Sequence, residues 1–210
     1  ASRIAFFGTF YQQISIMNKK LCTFPVALTI LAFFFSSCDQ YTGKWEEYTM
    51  TLKDGEGNIN YQIPDDIPNC TEALLQAESG ERLLAEHCNR YRNLYFVLIE
   101  HEKQGFGSDS LDPFISFSTR CLNRLMNDGA ATSMKILDKQ IDTLDNGHIV
   151  LTAELFGYMG EDNPIFYFHR TLDAGASFVE ATAWTRGEKR RLEHGDKLRK
   201  VISSIKYTNP

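Results

Sequence analysis

The residues whose types and spacing could do chemistry lie on two neighbouring apolar segments in the second half of the chain. His169 and Glu180 supply an imidazole and a carboxylate, a pair able to act as general base and acid. A two-residue turn at Ala174-Gly175 would join the two segments as a hairpin, with Phe168 opposite Ala181 and His169 opposite Glu180. This register predicts an acid/base pair on one face of a sheet.

The preceding segment extends this face. Leu151, Ala153 and Leu155 are assigned to an aliphatic face, which leaves Glu154 on the side of His169. The polar and aromatic face is then predicted to contain Glu154, Tyr158, Tyr167, His169, Glu180 and Trp184. Such a face could line a ligand groove. The alternative is an ordinary half-solvated sheet face that carries one cross-strand ion pair.

No strong catalytic or metal-binding motif accompanies this pair. The sequence has no G-x-S-x-G, no H-E-x-x-H, no phosphate-binding loop, no C-x-x-C and no EF-hand loop. His87 lies beside Cys88, but adjacent residues on a strand point to opposite faces, so this pair does not predict a zinc site. We therefore expect no metal and no cofactor.

Alternating apolar residues predict the strands that must position the candidate residues. Residues 48–53 and 59–63 alternate around the turn at 54–57 and predict a hairpin. Further strands are predicted at 83–88, 94–99, 135–144, 148–158, 164–172 and 177–184, with Asn146-Gly147 as the clearest turn. Residues 71–87 are ambiguous, because their apolar start favours a helix that Gly80 would interrupt.

Two helices are predicted to flank these strands. The first follows a Gly/Ser loop at 105–110, with Asp112 as its cap, Pro113 at its first position and Gly129 at its end. Its apolar stripe consists of Phe114, Phe117, Cys121, Leu122 and Leu125. The second runs from about 187 to 206 and packs Leu198, Val201, Ile202 and Ile205 on the sheet. The order predicts an α+β fold, an antiparallel sheet flanked by helices.

The N-terminal part has the order of a secretory signal. Met17-Asn18-Lys19-Lys20 is positively charged, residues 21–35 are apolar and uncharged, and Phe35-Ser36-Ser37-Cys38 ends in a cysteine. This stretch resembles a bacterial lipoprotein signal, which implies removal of 17–37 and lipidation of Cys38. Residues 1–16 are then interpreted as upstream or vector-derived sequence, 38–47 as anchor and tether, and 48–207 as a single domain.

Composition limits the partners. The chain has 22 basic and 27 acidic residues, and loss of the three basic residues that precede Cys38 leaves 19 against 27, so nucleic acid is not an expected partner. Beyond Cys38 the chain has three cysteines, Cys70, Cys88 and Cys121. They allow one internal disulfide, and Cys70 to Cys88 is a candidate; buried free thiols explain the count equally well.

Basic residues are concentrated late in the chain. Residues 186–200 carry a local charge of +4 and include Arg186, Lys189, Arg190 and Arg191. They predict a membrane or partner patch. The alternative is the solvated face of a helix.

The element order and the ending Ile202-Ser203-Ser204-Ile205-Lys206-Tyr207 resemble the PsbP-like fold superfamily. Residues 94–103 also resemble the end of a strand that is found in small exported lipoproteins of this group, which includes the DcrB-like lipoproteins. The resemblance implies a scaffold for binding, whose members do unrelated jobs.

We therefore expect a non-catalytic, lipid-anchored binding or assembly module of the bacterial cell envelope, facing the periplasm or the cell surface. Its partners would be membrane lipid through Cys38 and an envelope protein or small ligand. One alternative is a small envelope enzyme that uses His169, Glu180 and Glu154. Another is an envelope chaperone or adaptor, which requires an exposed apolar groove.

Overall fold

The computed structural model describes residues 43–55, 57–104, 106, 112–127, 131–144 and 147–209. The predicted signal, the Cys38 lipidation site, Gly129, Asn146 and most of the 105–110 loop lie outside these residues. The compact unit that contains the described residues is Gly43–Pro210.

A small antiparallel sheet contains both ends of the described chain. Its strands are β1 (Trp45–Thr51), β2 (Asn58–Pro64) and β9 (Lys206–Thr208), in the order β1-β2-β9. A single 3₁₀ turn, Lys53–Gly55, lies between β1 and β2. The predicted N-terminal hairpin is therefore confirmed, with Tyr48 opposite Tyr61.

A six-stranded antiparallel sheet forms the centre of the fold. Its strands are β3 (Glu81–Asn89), β4 (Leu94–Glu102), β5 (Thr132–Thr143), β6 (Ile149–Met159), β7 (Asn163–Asp173) and β8 (Ser177–Arg186). They lie in the order β3-β4-β8-β7-β6-β5. Pairing of β4 with β8 joins the β3–β4 hairpin to the four consecutive strands β5 to β8. No local sequence pattern predicts this contact.

Two helices cover opposite faces of this sheet. Helix α1 (Pro113–Asn127) packs Phe114 and Phe117 on the face that carries Phe178. Helix α2 (Glu188–Ser203) and the small sheet pack on the face that carries Val179, Ala181 and Ala183. We call these the α1 face and the α2 face. The predicted α+β class, an antiparallel sheet flanked by helices, is confirmed.

Helix α1 begins as its sequence predicts. The Asp112 carboxylate accepts hydrogen bonds from the backbone N–H groups of Phe114 and Ile115 at 2.8 and 3.2 Å. Pro113, which has no N–H to satisfy, occupies the first helical position. Phe114, Phe117, Cys121 and Leu122 are buried, and each fully buried large apolar side chain contributes about 1.5–3 kcal/mol.

The ambiguous stretch 71–87 does not form a helix. Residues 71–80 are irregular and β3 starts at Glu81. The reason is tertiary: β3 pairs with β4 along its length, and the irregular stretch is fixed by an isolated bridge between Asn69 and His87. Sheet hydrogen bonds and burial of His87 and Cys88 thereby outweigh the local helix preference of the apolar start.

The predicted register between β7 and β8 is wrong by two residues. His169 pairs with Thr182, Phe168 pairs with Ala183, and Thr171 stands opposite Glu180. The two-residue turn lies one position later than assumed, at Gly175-Ala176, because Ala174 pairs with Ser177 and donates its N–H to the Ser177 carbonyl at 3.0 Å. A shift of two residues leaves every side chain on its predicted face of β7 and β8.

Candidate functional site

A polar cluster is buried between α1 and the large sheet. His101 on β4 and Glu180 on β8 lie on the α1 face, with His101 Nε2 3.0 Å from Glu180 Oε2. Arg124 on α1 donates from Nη2 to Glu180 Oε2 and from Nη1 to Glu81 Oε1, the latter at 2.7 Å. Cys121 lies one turn before Arg124 on the same helix. We call Glu81, His101, Cys121, Arg124 and Glu180 the polar cluster.

Charge and burial set the protonation of this cluster. Burial alone would raise the pKa of Glu180, but the hydrogen bond from His101 and the neighbouring positive charge of Arg124 outweigh it and lower that pKa to about 2. The opposite holds for Cys121, where burial and then the charge of Glu180 raise the pKa of the thiol. Near neutral pH the cluster therefore contains a carboxylate at Glu180 and an un-ionised thiol at Cys121.

Three of these side chains could in principle share a cation. The ligand atoms of His101, Cys121 and Glu180 all lie within 4.8 Å of one another, and all three residues are buried. However, the Arg124 guanidinium already pairs with Glu180 Oε2. A metal would have to compete with the positive charge of Arg124 and ionise a thiol whose pKa is raised, so the donor set does not favour one.

His169 lies beside the cluster and is sealed from solvent. Its side chain is fully buried, its Nδ1 lies 3.0 Å from Thr182 Oγ1, and it stands 3.9 Å from Glu180 Oε1. Burial lowers the pKa of His169, and the charge of Arg124 acts in the same direction against the opposing effect of Glu180. The predicted sharing of a face by His169 and Glu180 is confirmed, but burial disfavours the charged form of the ring and separates it from solvent.

Glu154 and Tyr158 are not part of this face. Glu154 pairs with Phe168 across β6 and β7, and therefore lies on the α2 face, where it forms an ion pair with Arg199. The assignment of Leu155 to the same face as Ala181 is also wrong, because Leu155 belongs to the core under α1. The error has a physical cause: a helix covers each face, so both faces of β6 are rich in apolar residues and alternation alone does not distinguish them.

An apolar cleft of about 340 Å³ opens on the α1 face, next to the polar cluster. Its floor consists of residues on β4, β7 and β8, its helical wall contains Leu125, and its other wall is the irregular segment 75–78. The apolar lining comprises Leu75, Leu83, Val97, Ile99, Leu125, Met159, Ile165, Tyr167 and Trp184. Three of the predicted groove residues, Tyr167, Glu180 and Trp184, line this cleft.

The irregular wall of the cleft is tied to the edge strand β3. Cys70 and Cys88 form a disulfide with 5.2 Å between their Cα atoms, which decides between the alternatives left open by the cysteine count. The backbone N–H groups of Leu74 and Leu75 each donate to Glu86 Oε1 at 2.9 Å. These contacts fix a segment that has no helix or strand of its own.

A second, smaller cavity of about 140 Å³ lies on the other side of the polar cluster. It is lined by His101 and Cys121 and shares Glu81 and Arg124 with the apolar cleft. The Glu81–Arg124 ion pair thus forms part of the wall of both cavities.

The predicted basic patch is divided. Lys189, Arg190 and Arg191 lie on the first turn of α2 and form ion pairs with Glu188 and Glu193, so much of their charge is balanced locally. Arg186 belongs to β8, lines the apolar cleft and stacks over the Tyr95 ring at 5.8 Å. It therefore faces a different environment from the other three.

The sequence did not predict that Glu81, His101, Cys121 and Arg124 are partners in one site. A signal existed for Arg124 alone, since it follows Cys121 by three residues on the buried stripe of α1 and is a cation on an apolar face. The other residues meet only because β4 pairs with β8.

Comparison with solved structures defines the fold class. The solution structure of cyanobacterial PsbP (CyanoP) from Synechocystis sp. PCC 6803 superposes with a TM-score of 0.56 at 11% identity, covering 79% of this chain and 94% of that one. The chain thus has the PsbP-like fold. PA94 from Pseudomonas aeruginosa has a TM-score of 0.45 at 12% identity, over 79% of this chain and 99% of its own. A mutant of the protein Mog1 has a TM-score of 0.46 at 12% identity, over 77% and 95%.

Sequence comparison adds no closer identification. No protein-family model matches the chain, and no curated protein matches it. Within the described residues, no helix is both long enough and apolar enough to span a membrane.

Proposed function

We propose that this protein is a lipid-anchored binding or adaptor module of the bacterial cell envelope, and that the apolar cleft on the α1 face is its binding site. The observation that carries the proposal is the cleft itself: a concave, mostly apolar site of about 340 Å³ with a small number of polar groups at its ends. The PsbP-like fold is consistent with a binding role, although fold alone does not assign one.

The chemistry beside the cleft favours binding over catalysis. A general base must reach its substrate, yet His169 is fully buried and does not line the cleft. A general acid at neutral pH needs a raised pKa, whereas that of Glu180 is lowered to about 2. Glu180 and Glu81 are held by Arg124, and this arrangement stabilises a wall of the cleft. The enzyme alternative, in which His169 acts with Glu180 or Glu154, therefore has little support, since Glu154 lies on the α2 face.

The anchor is proposed from the sequence of residues 17–38. A polar tether, 39–44, which ends where β1 begins at Trp45, would keep the domain near the bilayer, since an extended chain spans at most about 3.3–3.6 Å per residue. In that position the cleft could receive an apolar ligand or a side chain of an envelope protein.

Site-specific photo-crosslinking tests the binding role. A photoreactive amino acid at Leu75, which is 42% exposed at the cleft wall, is compared with one at Leu192, which is 75% exposed on α2. We expect crosslinked products, identified by mass spectrometry, from position 75 and not from position 192. Equal products from both positions, or none from position 75, would remove the support for the cleft as a binding site.

Fractionation tests the anchor. Cells that express the protein from Met17 are separated into membrane and soluble fractions, and Cys38→Ala is compared with Cys22→Ala as a matched control. We expect Cys38→Ala alone to lose the lipid and to leave the membrane in its processed form. Unchanged membrane association of Cys38→Ala would contradict lipid anchoring.

A further inference from the structure

We infer that the apolar cleft binds a single-chain amphiphile with an anionic head, of the fatty-acid class, and that Arg186 receives the carboxylate. This inference rests on the proposed binding role of the cleft and names the ligand class. The argument depends on how charge is distributed along β8, the strand that runs through the floor.

The cleft has chemically different ends. Glu180, Thr182, Trp184 and Arg186 follow one another on the same face of β8, and all four line the cleft. At about 3.3 Å per residue, Glu180 and Arg186 are separated by roughly 20 Å along the strand. Between them lie apolar and aromatic side chains and Thr182, whose hydroxyl is already within hydrogen-bond distance of His169 Nδ1, at 3.0 Å. This lining suits an extended hydrocarbon chain.

The Glu180 end is unsuitable for an anion. The carboxylates of Glu81 and Glu180 share one guanidinium, that of Arg124, and Glu78 adds a third carboxylate to the lining. An anionic head group would meet like charge there. Only the apolar part of an amphiphile fits next to this end.

The Arg186 end offers a positive charge without an anionic partner. Within the described part of the chain, Arg186 forms no ion pair, and its buried Nε has no hydrogen-bond partner. Its guanidinium stacks over Tyr95, which in turn stacks on Trp184 with 5.1 Å between ring centroids. A guanidinium in a fixed orientation binds a carboxylate through two parallel hydrogen bonds, which would satisfy the orphan Nε.

The size of the cleft favours a small ligand over a protein segment. Its volume of about 340 Å³ lies within the range of small-molecule sites, roughly 300–1,000 Å³. Each CH₂ group buried from water contributes about 0.8 kcal/mol, so affinity should rise with chain length until the cleft is filled.

Trp184 provides a direct readout of binding. The chain contains two tryptophans, Trp45 and Trp184, so Trp45→Phe leaves a single fluorophore in the cleft. Dodecanoate is titrated into this variant below its micelle-forming concentration, and dodecanol serves as a matched probe without the charge. We expect saturable binding of both, with dodecanoate tighter by about tenfold, the value of one charge-assisted hydrogen bond.

Variants separate the head-group site from general attraction. Arg186→Gln should weaken dodecanoate about tenfold and leave dodecanol unchanged. Arg190→Gln removes a positive charge from α2, outside the cleft lining, and should change neither. Leu125→Trp fills the cleft from the helix side and should abolish binding of both probes; circular dichroism confirms that each variant is folded.

Arg186→Lys keeps the positive charge and is the variant to use if Arg186→Gln does not fold. It should still bind dodecanoate more tightly than dodecanol. Three results would overturn the inference: no saturable binding of either probe, equal affinity for the two probes, or an equal loss on Arg186→Gln and Arg190→Gln. If neither probe binds saturably but a photoreactive residue at Leu75 crosslinks to a protein, the amphiphile is excluded and the proposed binding role of the cleft is retained.

Discussion

His101 Nε2 lies 3.0 Å from Glu180 Oε2, on two neighbouring strands that are separated by 79 residues in the chain. The two residues are the part of the polar cluster that the sheet provides, and Arg124 on α1 pairs with Glu180 from the helix side. Because Glu180 is almost completely buried, its carboxylate is stable there only while these donors are in place. The contact therefore links the packing of α1 to the shape of the adjacent cleft.

Arg124→Met should destabilise the protein strongly. The substitution leaves Glu81 and Glu180 without their guanidinium, and removal of one partner of a buried ion pair costs about 3–5 kcal/mol. Because the Arg124 side chain is 37% exposed, we expect the lower end, about 3 kcal/mol, in urea denaturation. Arg190→Gln, which breaks the exposed pair with Glu193, should cost less than about 1 kcal/mol. Equal losses for the two variants would contradict a buried role for Arg124.

Loss of the Cys70–Cys88 disulfide should lower stability by about 2–4 kcal/mol, the usual value for a loop of this length. The reduced wall segment also loses its tether, so ligand binding in the cleft should weaken. Thermal unfolding of the wild type and of Cys70→Ser/Cys88→Ser is measured with and without reductant. The reductant should lower the melting temperature of the wild type alone. A similar response of the double variant would contradict the assignment.

Stability should fall as the pH drops below about 6.5, the ordinary pKa of histidine. Burial lowers the pKa of His87 and of His169, so the unfolded state takes up protons that the folded state does not. Each such histidine contributes stability that is present above about pH 6.5 and is lost at up to about 1.4 kcal/mol per pH unit below it. Glu180, with its pKa of about 2, should add to the loss only below about pH 4.5.

Denaturation at a series of pH values between 5 and 7.5 checks this behaviour. In the neutral ring, His87 Nδ1 donates to the Ile67 carbonyl at 3.2 Å and Nε2 accepts from the Tyr61 hydroxyl at 3.1 Å, so the two contacts select one tautomer. His87→Gln removes one proton-binding site, and its stability should therefore depend less steeply on pH than that of the wild type. An identical slope would show that His87 is not one of the responsible groups.

Cys121 should be unreactive in the native state. It is buried, and burial raises the pKa of its thiol, so little thiolate exists at neutral pH. In a Cys22→Ser/Cys38→Ser background, a maleimide should modify the protein only on addition of denaturant, at one site. Rapid labelling of the native protein, followed by mass spectrometry, would contradict this and indicate an open path through the smaller cavity.

The local sequence determined most of the elements. Asp112 and Pro113 specified the start of α1, because a cap and a proline act within a few residues of their own position. The alternation in 48–53 and 59–63 specified the first hairpin for the same reason. His169 and Glu180 were placed on one face because side-chain alternation survives a register error of two residues.

Only the tertiary structure decided which elements meet. Glu154 and Leu155 were assigned to the wrong faces, since helices on both sides make both faces apolar and the period-two signal no longer separates them. Segment 71–80 lacks regular structure because it is held by contacts with β3, from the Leu74 and Leu75 N–H groups to Glu86 and, just before the segment, by the Cys70–Cys88 disulfide. The polar cluster and the apolar cleft arise where β4 pairs with β8 beneath α1. Their residues come from distant parts of the chain, and they meet only through tertiary packing, which a short stretch of sequence does not specify.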